Sequence, residues 1–131
     1  MRYLSQEEFE LSSRFLFLSM AILVIEQDID SIQKGTASFK IKEPYLELLN
    51  KMEQQATTER RHLRKSMAEK QIQVISLNKN DSFSSYLFLC RGREEKRNYF
   101  NPTIRKKVEN ILQELMQDGL SSAKDSSYTA K

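Results

Sequence analysis

The chain is poor in the residues that build covalent cross-links and metal centres. Its 131 residues include one cysteine, Cys90, and one histidine, His62. A single cysteine excludes an intramolecular disulfide, and no group of cysteines and histidines has the spacing of a zinc site. We therefore expect a cytoplasmic protein that needs no metal and no other cofactor.

Catalytic motifs are lacking as well. The sequence contains no glycine-rich phosphate loop, no Gly-x-Ser-x-Gly elbow and no obvious pair of acid and base carboxylates. Cys90 lies in an apolar run, which favours a protonated and inert thiol, and no histidine is near it in the sequence. We therefore expect that the protein is not an enzyme.

Long hydrophobic runs are also missing. The longest, residues 15–25, falls short of the roughly 20 residues that span a bilayer. A hydrophobic content of 39% with 30% charged residues is typical of a folded domain. We expect one helical domain over residues 1–118, a disordered polar tail over residues 119–131, and no contact with a membrane.

With only three glycines and two prolines, the chain favours long elements. Ser5 and Glu8 have the spacing of a capping box, which predicts the start of a first helix, and Gly35 offers its left-handed end. Apolar residues then recur at intervals of three and four: Leu11, Phe15, Leu18, Ile22, Ile25, Ile29 and Ile32. This spacing predicts a helix of nearly thirty residues.

The later elements are predicted from proline positions and periodicity. Pro44 favours the first turn of a second helix. Residues 72–76 alternate in a β-branched setting, and turn residues follow at 78–81, so we expect a short strand or extended segment there. Residues 83–91 fit either the return strand of a hairpin or a helix. We prefer the helix because the run continues into "REEKRNYF", which is rich in helix formers.

Asn101 and Pro102 mark a corner near the C-terminal end of the chain. Asparagine is a good N-cap and proline a good first helical residue, so the pair predicts the start of a last helix, which we expect to end at Gly119. The predicted fold is therefore mainly α. It is a bundle of three to four helices with a short extended segment or β-hairpin near residues 72–90.

The middle of the first helix is apolar on every side. Beyond its regular stripe it carries Leu16, Phe17, Met20, Leu23 and Val24. Covering such a helix requires neighbours all round, either later elements of the same chain or a second copy. We expect the second copy, which predicts a homodimer interface formed by these five side chains.

Charge is distributed unevenly along the chain. Residues 1–34 have a net charge of −3, whereas residues 91–107 have a net charge of +5. Together with a cluster on the second helix, the cations predict a partner-binding basic surface made of Arg60, Arg61, Arg64, Lys65, Arg91, Arg93, Lys96, Arg97, Arg105, Lys106 and Lys107. We expect an acidic protein surface as its partner. Because Tyr99 and Phe100 lie among the cations, DNA or RNA is the alternative partner.

A second, weaker pattern is Glu59 with His62. Glu-x-x-His places two metal ligands on one helix face. A full site in one chain needs a second such motif, and the adjacent arginines would repel a cation. We therefore interpret His62 as a surface residue of a basic helix and predict no metal site.

Several stretches resemble one family of proteins. They are "KEPYLELLNKM", containing Pro44 and Tyr45, and the segment from "QVISLNKNDSF" to "NPTIRKKVENIL", containing Tyr86 to Leu89, Gly92, Tyr99 to Pro102 and Arg105. Over residues 10–117 the chain resembles the small YhjD-like proteins of Bacillus and its relatives. The resemblance implies an origin in a Firmicute or its phage and implies no catalytic residues. From the apolar first helix and the basic surface, the expected function is that of a small non-enzymatic regulatory or adaptor protein that acts by protein-protein binding, as a homodimer.

Overall fold

The computed structural model describes residues 3–35 and 40–129, with side chains described up to residue 121. The part of the connection between the first two helices that lies at 36–39, and the last two residues of the predicted tail, fall outside these ranges. The elements in chain order are α1 (Gln6–Gln33), α2 (Glu43–Lys70), β1 (Ile72–Lys79), β2 (Phe83–Cys90), β3 (Arg93–Phe100) and α3 (Asn101–Thr129). The prediction of a mainly α protein is confirmed, but three strands accompany the helices, so the fold is not a pure helical bundle.

Helix α1 begins at the predicted capping box. The Ser5 hydroxyl accepts a hydrogen bond from the Glu8 backbone N–H at 3.1 Å, and the Glu8 carboxylate accepts one from the Ser5 N–H at 2.8 Å. Two backbone donors of the first turn are satisfied in this way. Gly35 follows the helix with φ at +74°, the left-handed conformation predicted for the helix exit.

Helix α3 begins at the predicted corner but is longer than expected. The Asn101 backbone N–H donates to the Ser82 carbonyl, and its side-chain amide donates to the Asn80 carbonyl, so Asn101 fastens the β1–β2 loop to the start of α3. The prediction that Gly119 ends this helix is wrong, because α3 continues to Thr129. Gly119 is instead a point of close approach: a Cβ there would lie 2.9 Å from Cδ1 of Leu48.

The strands form one antiparallel sheet in the order β1–β2–β3. In its register Ile72 faces Cys90, and Cys90 faces Arg93 across the next hairpin. The short strand or extended segment predicted at 72–76 is a strand, and the β-hairpin offered near residues 72–90 is confirmed, whereas the helix preferred for residues 83–91, and its extension through "REEKRNYF", is wrong. Both segments are strands.

The turn between β2 and β3 explains why the hairpin prevails over helix propensity. Arg91 and Gly92 have φ angles of +50° and +82°, which no α-helix contains. Positive φ at both central residues is typical of a two-residue hairpin turn, whose twist matches that of the flanking strands. Once the turn forms, eight consecutive pairs between Phe83 and Phe100 hold both strands extended.

The sheet packs one face against the helices. Tyr86, Phe88 and Cys90 on this inner face are at most 3% exposed, and Phe9 of α1 packs edge-on against Phe88 at 5.0 Å. The outer face stays open, with exposed apolar side chains from all three strands: Ile75, Leu77, Phe83 and Phe100. The molecule thus has a covered and an uncovered sheet face.

Helix α1 lies at the centre because it contacts α2, α3, β1 and β2. Leu18, Ile25 and Met52 are among the most deeply buried side chains of the helical core. At its rim, the Arg14 guanidinium donates to both Glu59 oxygens of α2, at 2.6 and 3.1 Å, and to Glu114 of α3 at 3.2 Å. One side chain therefore links all three helices. None of the helices, within the described ranges, is long and apolar enough to cross a membrane.

Candidate protein-interaction surface

Four of the predicted basic residues contact side chains of the same chain: Arg60, Arg93, Arg97 and Lys107. Arg60 is the first of these: its Nε donates to the Ser19 hydroxyl at 2.7 Å, and its guanidinium lies 4.7 Å from the centre of the Phe15 ring. Burial lowers the pKa of Arg60 from its ordinary value, and the neighbouring Arg64 adds to the effect. Arg60 therefore fixes α2 against α1.

Arg93 and Arg97 of β3 are likewise engaged. Arg93 forms a 2.8 Å salt bridge with Glu8, which joins the acidic N-terminal region to the basic region of the chain. This interaction, followed by the hydrogen bond from the Ser5 backbone, lowers the pKa of Glu8 from 4.5 to about 2. Arg97 donates to the buried Glu95 at 2.6 Å and lies over the Phe9 ring.

The aromatic residues of the predicted nucleic-acid surface also pack within the chain. Tyr99 faces the helices and meets Phe17 edge-on at 5.3 Å, while Lys107 lies over the same Phe17 ring. Phe100 lies on the outer sheet face, 5.6 Å from Phe83. Tyr99 is therefore already packed and does not present a free ring for stacking on a base.

Apart from Lys107, which lies over the Phe17 ring, seven cations of the predicted surface are exposed and form no ion pair within the described part of the chain: Arg61, Arg64, Lys65, Arg91, Lys96, Arg105 and Lys106. They do not form one continuous surface. Arg91 lies in the turn beside the end of α2, since the adjacent Cys90 thiol donates to the Lys70 carbonyl at 3.4 Å. Arg105 and Lys106 follow the opposite end of β3. The eight extended residues of β3, which lie between Arg91 and Arg105, span about 26 Å.

The most concentrated part is the α2 basic group, defined here as Arg61, Arg64 and Lys65. Over residues 60–70, α2 carries five cations and one carboxylate. Such a density of one sign raises the local potential and favours an anionic partner. The cations near the end of the helix are also favoured by its dipole.

Beside the α2 basic group lies the β1 groove. It is lined by Phe15 of α1, by Arg64, Met67 and Ala68 of α2, and by residues 72–75 of β1, and its volume is about 420 Å³. Most of this lining is apolar, and Arg64 supplies a positive charge at its margin. Of these residues the sequence had identified only Arg64 as a candidate. For the residues of β1, the sequence feature that could have indicated the groove is an uncharged strand directly after a basic helix.

The predicted dimer interface is largely packed inside the chain itself. Phe17 is 3% exposed, and Leu16, Met20 and Val24 are partly buried against the core. The premise that these side chains require a second copy is therefore wrong for Phe17, which is covered by the helical core and by Tyr99 of β3. Leu23 alone is largely exposed, at 59%. The homodimer itself stays a prediction.

Cys90 and His62 lie in unlike surroundings. Cys90 is fully buried, and burial raises the pKa of its thiol. His62 is exposed, and Glu59, which shares its Glu-x-x-His spacing, is held by Arg14. Among the residues that the structure describes, no three His, Cys, Asp or Glu side chains are grouped closely enough to hold a metal ion.

Three helices around a three-stranded antiparallel meander, with a basic helix beside an edge strand, define a small mixed α and β protein with a largely apolar groove. The chain belongs to the YhjD protein family, whose sequence pattern it matches over residues 3–120. It is similar to the protein named "Uncharacterized protein YhjD" of Bacillus subtilis (strain 168), with 33% identity over 109 residues, which cover 83% of this chain and 89% of the relative. The family resemblance seen in the sequence is thereby confirmed. No solved structure matches the chain.

Proposed function

We propose that the protein acts by binding an acidic region of another protein at the β1 groove and the α2 basic group, as a small regulatory or adaptor module. The observation that carries this proposal is the placement of Arg61, Arg64 and Lys65. They are exposed and form no ion pair within the described part of the chain, and Arg64 lines the largely apolar groove, with Arg61 and Lys65 within one turn of it on the same helix. A carboxylate there would meet unpaired cations, and a neighbouring apolar side chain would meet Phe15 and Met67.

Binding by this surface is favoured over catalysis by the state of the candidate reactive groups. The Cys90 thiol is buried, and burial keeps it protonated by raising its pKa. The groove itself is lined by Met67, Ala68 and residues 72–75, none of which is a common acid, base or nucleophile. Its apolar and cationic lining suits recognition.

An acidic protein is favoured over nucleic acid by the separation of the cations. A nucleic-acid backbone is contacted along a continuous basic track. Here about 26 Å of β3 lies between Arg91 and Arg105, and Arg93 and Arg97 are held in internal ion pairs. The proposal does not require a homodimer, because the groove is formed by one chain.

The test is a binding titration with a labelled poly-glutamate peptide of about 20 residues, at about 150 mM salt. The variant R61E/R64E should weaken binding at least about tenfold, since it reverses two charges beside the peptide. The matched control R105E/K106E makes the same charge change past the far end of β3 and should stay within about twofold of the parent.

The competing partner is tested in the same assay with single-stranded and duplex DNA. If DNA binds more tightly than poly-glutamate, and both variants weaken it equally, the contact is a diffuse basic surface and the proposal is wrong. Absence of poly-glutamate binding at micromolar protein would also refute it. Circular dichroism of each variant verifies that the substitutions at these exposed positions leave the fold intact.

A further inference from the structure

The two edge strands of the sheet differ in a way that the proposed function does not use. β3 begins with five charged residues, Arg93 to Arg97, whereas β1 has none before Lys79. Charged side chains protect an edge strand from pairing with other chains. The β3 edge is protected in this manner, and the β1 edge is not.

β1 pairs only with β2 in the described sheet, so its other side carries unpaired backbone donors and acceptors. From Gln73 to Lys79 every residue except Val74 is exposed. The strand contains no proline and has a regular register from Ile72 to Ser76, followed by an irregularity before Lys79. Its first five residues therefore offer a regular edge for pairing.

The β1 groove lies where the side chains of an added strand would point. A strand beside β1 would lie about 4.8 Å away, with alternate side chains on the two sheet faces. Those on the inner face would meet Phe15, Met67 and Val74, and those on the outer face would lie next to Ile75. The inner face is apolar at this edge, the outer face has Ile75 beside Gln73, and Arg64 could pair with a carboxylate of the added strand.

We infer that β1 is a docking edge to which an extended, acidic segment of a partner protein adds as a fourth antiparallel or parallel strand. The inference rests on the proposed function and specifies the conformation of the partner. Main-chain hydrogen bonds to β1 supply affinity, the groove selects apolar side chains at alternate positions, and the α2 basic group selects acidic neighbours.

A second copy of this chain fits the edge less well than such a segment. Pairing β1 with β1 across a two-fold axis would bring two basic helices together, because α2 runs directly into β1 through the single residue Gln71. Each α2 carries five cations and one carboxylate over residues 60–70. Like charges at this distance oppose self-association, whereas an acidic segment neutralises them.

The test uses an eight-residue peptide of alternating valine and glutamate, matched in length to β1, and two derivatives with the same sequence. One derivative is N-methylated on every valine, the other on every glutamate. In a strand, the N–H groups of alternate residues point to opposite edges. Strand addition therefore predicts that only one derivative loses binding, by at least about tenfold, while the other stays within about threefold.

Amide hydrogen exchange gives an independent readout on the full-length protein. Binding of the unmethylated peptide should slow exchange in β1, with β3 unchanged. Equal binding of both methylated peptides would overturn strand addition but leave the acidic partner standing. Failure of the alternating peptide to bind would overturn strand addition alone if poly-glutamate still binds. Protection of β1 that rises with protein concentration without any peptide would identify a second copy as the occupant and also overturn it.

Discussion

The salt bridge between Glu8 and Arg93 predicts a pH-dependent loss of stability on the substitution Glu8→Gln. Glu8 is at once the capping-box residue of α1 and the carboxylate that holds the β2–β3 hairpin at 2.8 Å. Glutamine keeps an oxygen for the Ser5 N–H but removes the charge. The pKa of Glu8 falls from 4.5 to about 2 on folding, which corresponds to about 3.4 kcal/mol before screening. Since the carboxylate lies at the protein surface, solvent screening reduces this to about 1 to 2 kcal/mol.

The sign of the pH dependence follows from the depressed pKa. Above pH 4.5 the carboxylate is ionised in the folded and unfolded chains, and its contribution is complete. Between pH 4.5 and about 2 the unfolded chain binds the proton first, so the contribution disappears. Urea denaturation at several pH values should show Glu8→Gln less stable than the parent by about 1 to 2 kcal/mol at pH 7. Thermal denaturation at pH 7 should show a melting temperature lower by about 4 to 8 °C. The difference in the free energy of unfolding should vanish near pH 2.

The matched control is Glu7→Gln. Glu7 lies in the same first turn, is exposed and forms no salt bridge among the described side chains, so it shares the helix-dipole interaction but not the contact with Arg93. We expect its loss to stay below about 0.5 kcal/mol. A free-energy difference for Glu8→Gln that is constant from pH 7 to pH 2, or equal to that of Glu7→Gln, would refute the reasoning.

Two further substitutions test the hairpin turn and the exposed side of α1. Gly92→Ala should lower the free energy of unfolding by about 1 kcal/mol, because φ is +82°. No atom lies within 4 Å of the added Cβ, so the loss comes from the backbone conformation and not from a clash. An unchanged denaturation midpoint would show that the turn does not hold this conformation. Leu23→Glu should leave the melting temperature within about 2 °C of the parent, since Leu23 is 59% exposed. If analytical ultracentrifugation showed that this variant dissociates a dimer, α1 would instead be established as an oligomer contact.

The helices were largely predictable from sequence because their signals are local. Ser5 and Glu8, three residues apart, suffice for the start of α1, and Pro44 lies in the first turn of α2 as expected. The β2–β3 hairpin was not predicted, because residues 83–91 were expected to form either a helix or the return strand of a hairpin with residues 72–76. β2 is apolar on both sheet faces, which hides its period of two, and the composition of β3 favours a helix. Only Arg91 and Gly92, between two eight-residue runs, carried the turn signal.

The candidate surface was predictable in composition but not in arrangement. The cations of α2 are adjacent in sequence, so their clustering follows from the helix alone. The internal pairing of other cations depends on contacts between distant residues: Arg93 meets Glu8 across 85 positions and Arg60 meets Ser19 across 41. Such contacts form only when α1, α2 and the sheet are packed together, and neither periodicity nor composition specifies them.

The unlike edges of the sheet also limit how large an assembly can become. If both edges accepted a strand, β1 of one molecule would pair with β3 of the next and the chains would polymerise without end. Because β3 carries charges on its first five residues, that head-to-tail contact would place Glu94 and Lys96, which form no ion pair among the described side chains, against an uncharged strand and desolvate them. If a segment docks at β1 as proposed, we therefore expect that copies of this chain do not extend the sheet further through β3.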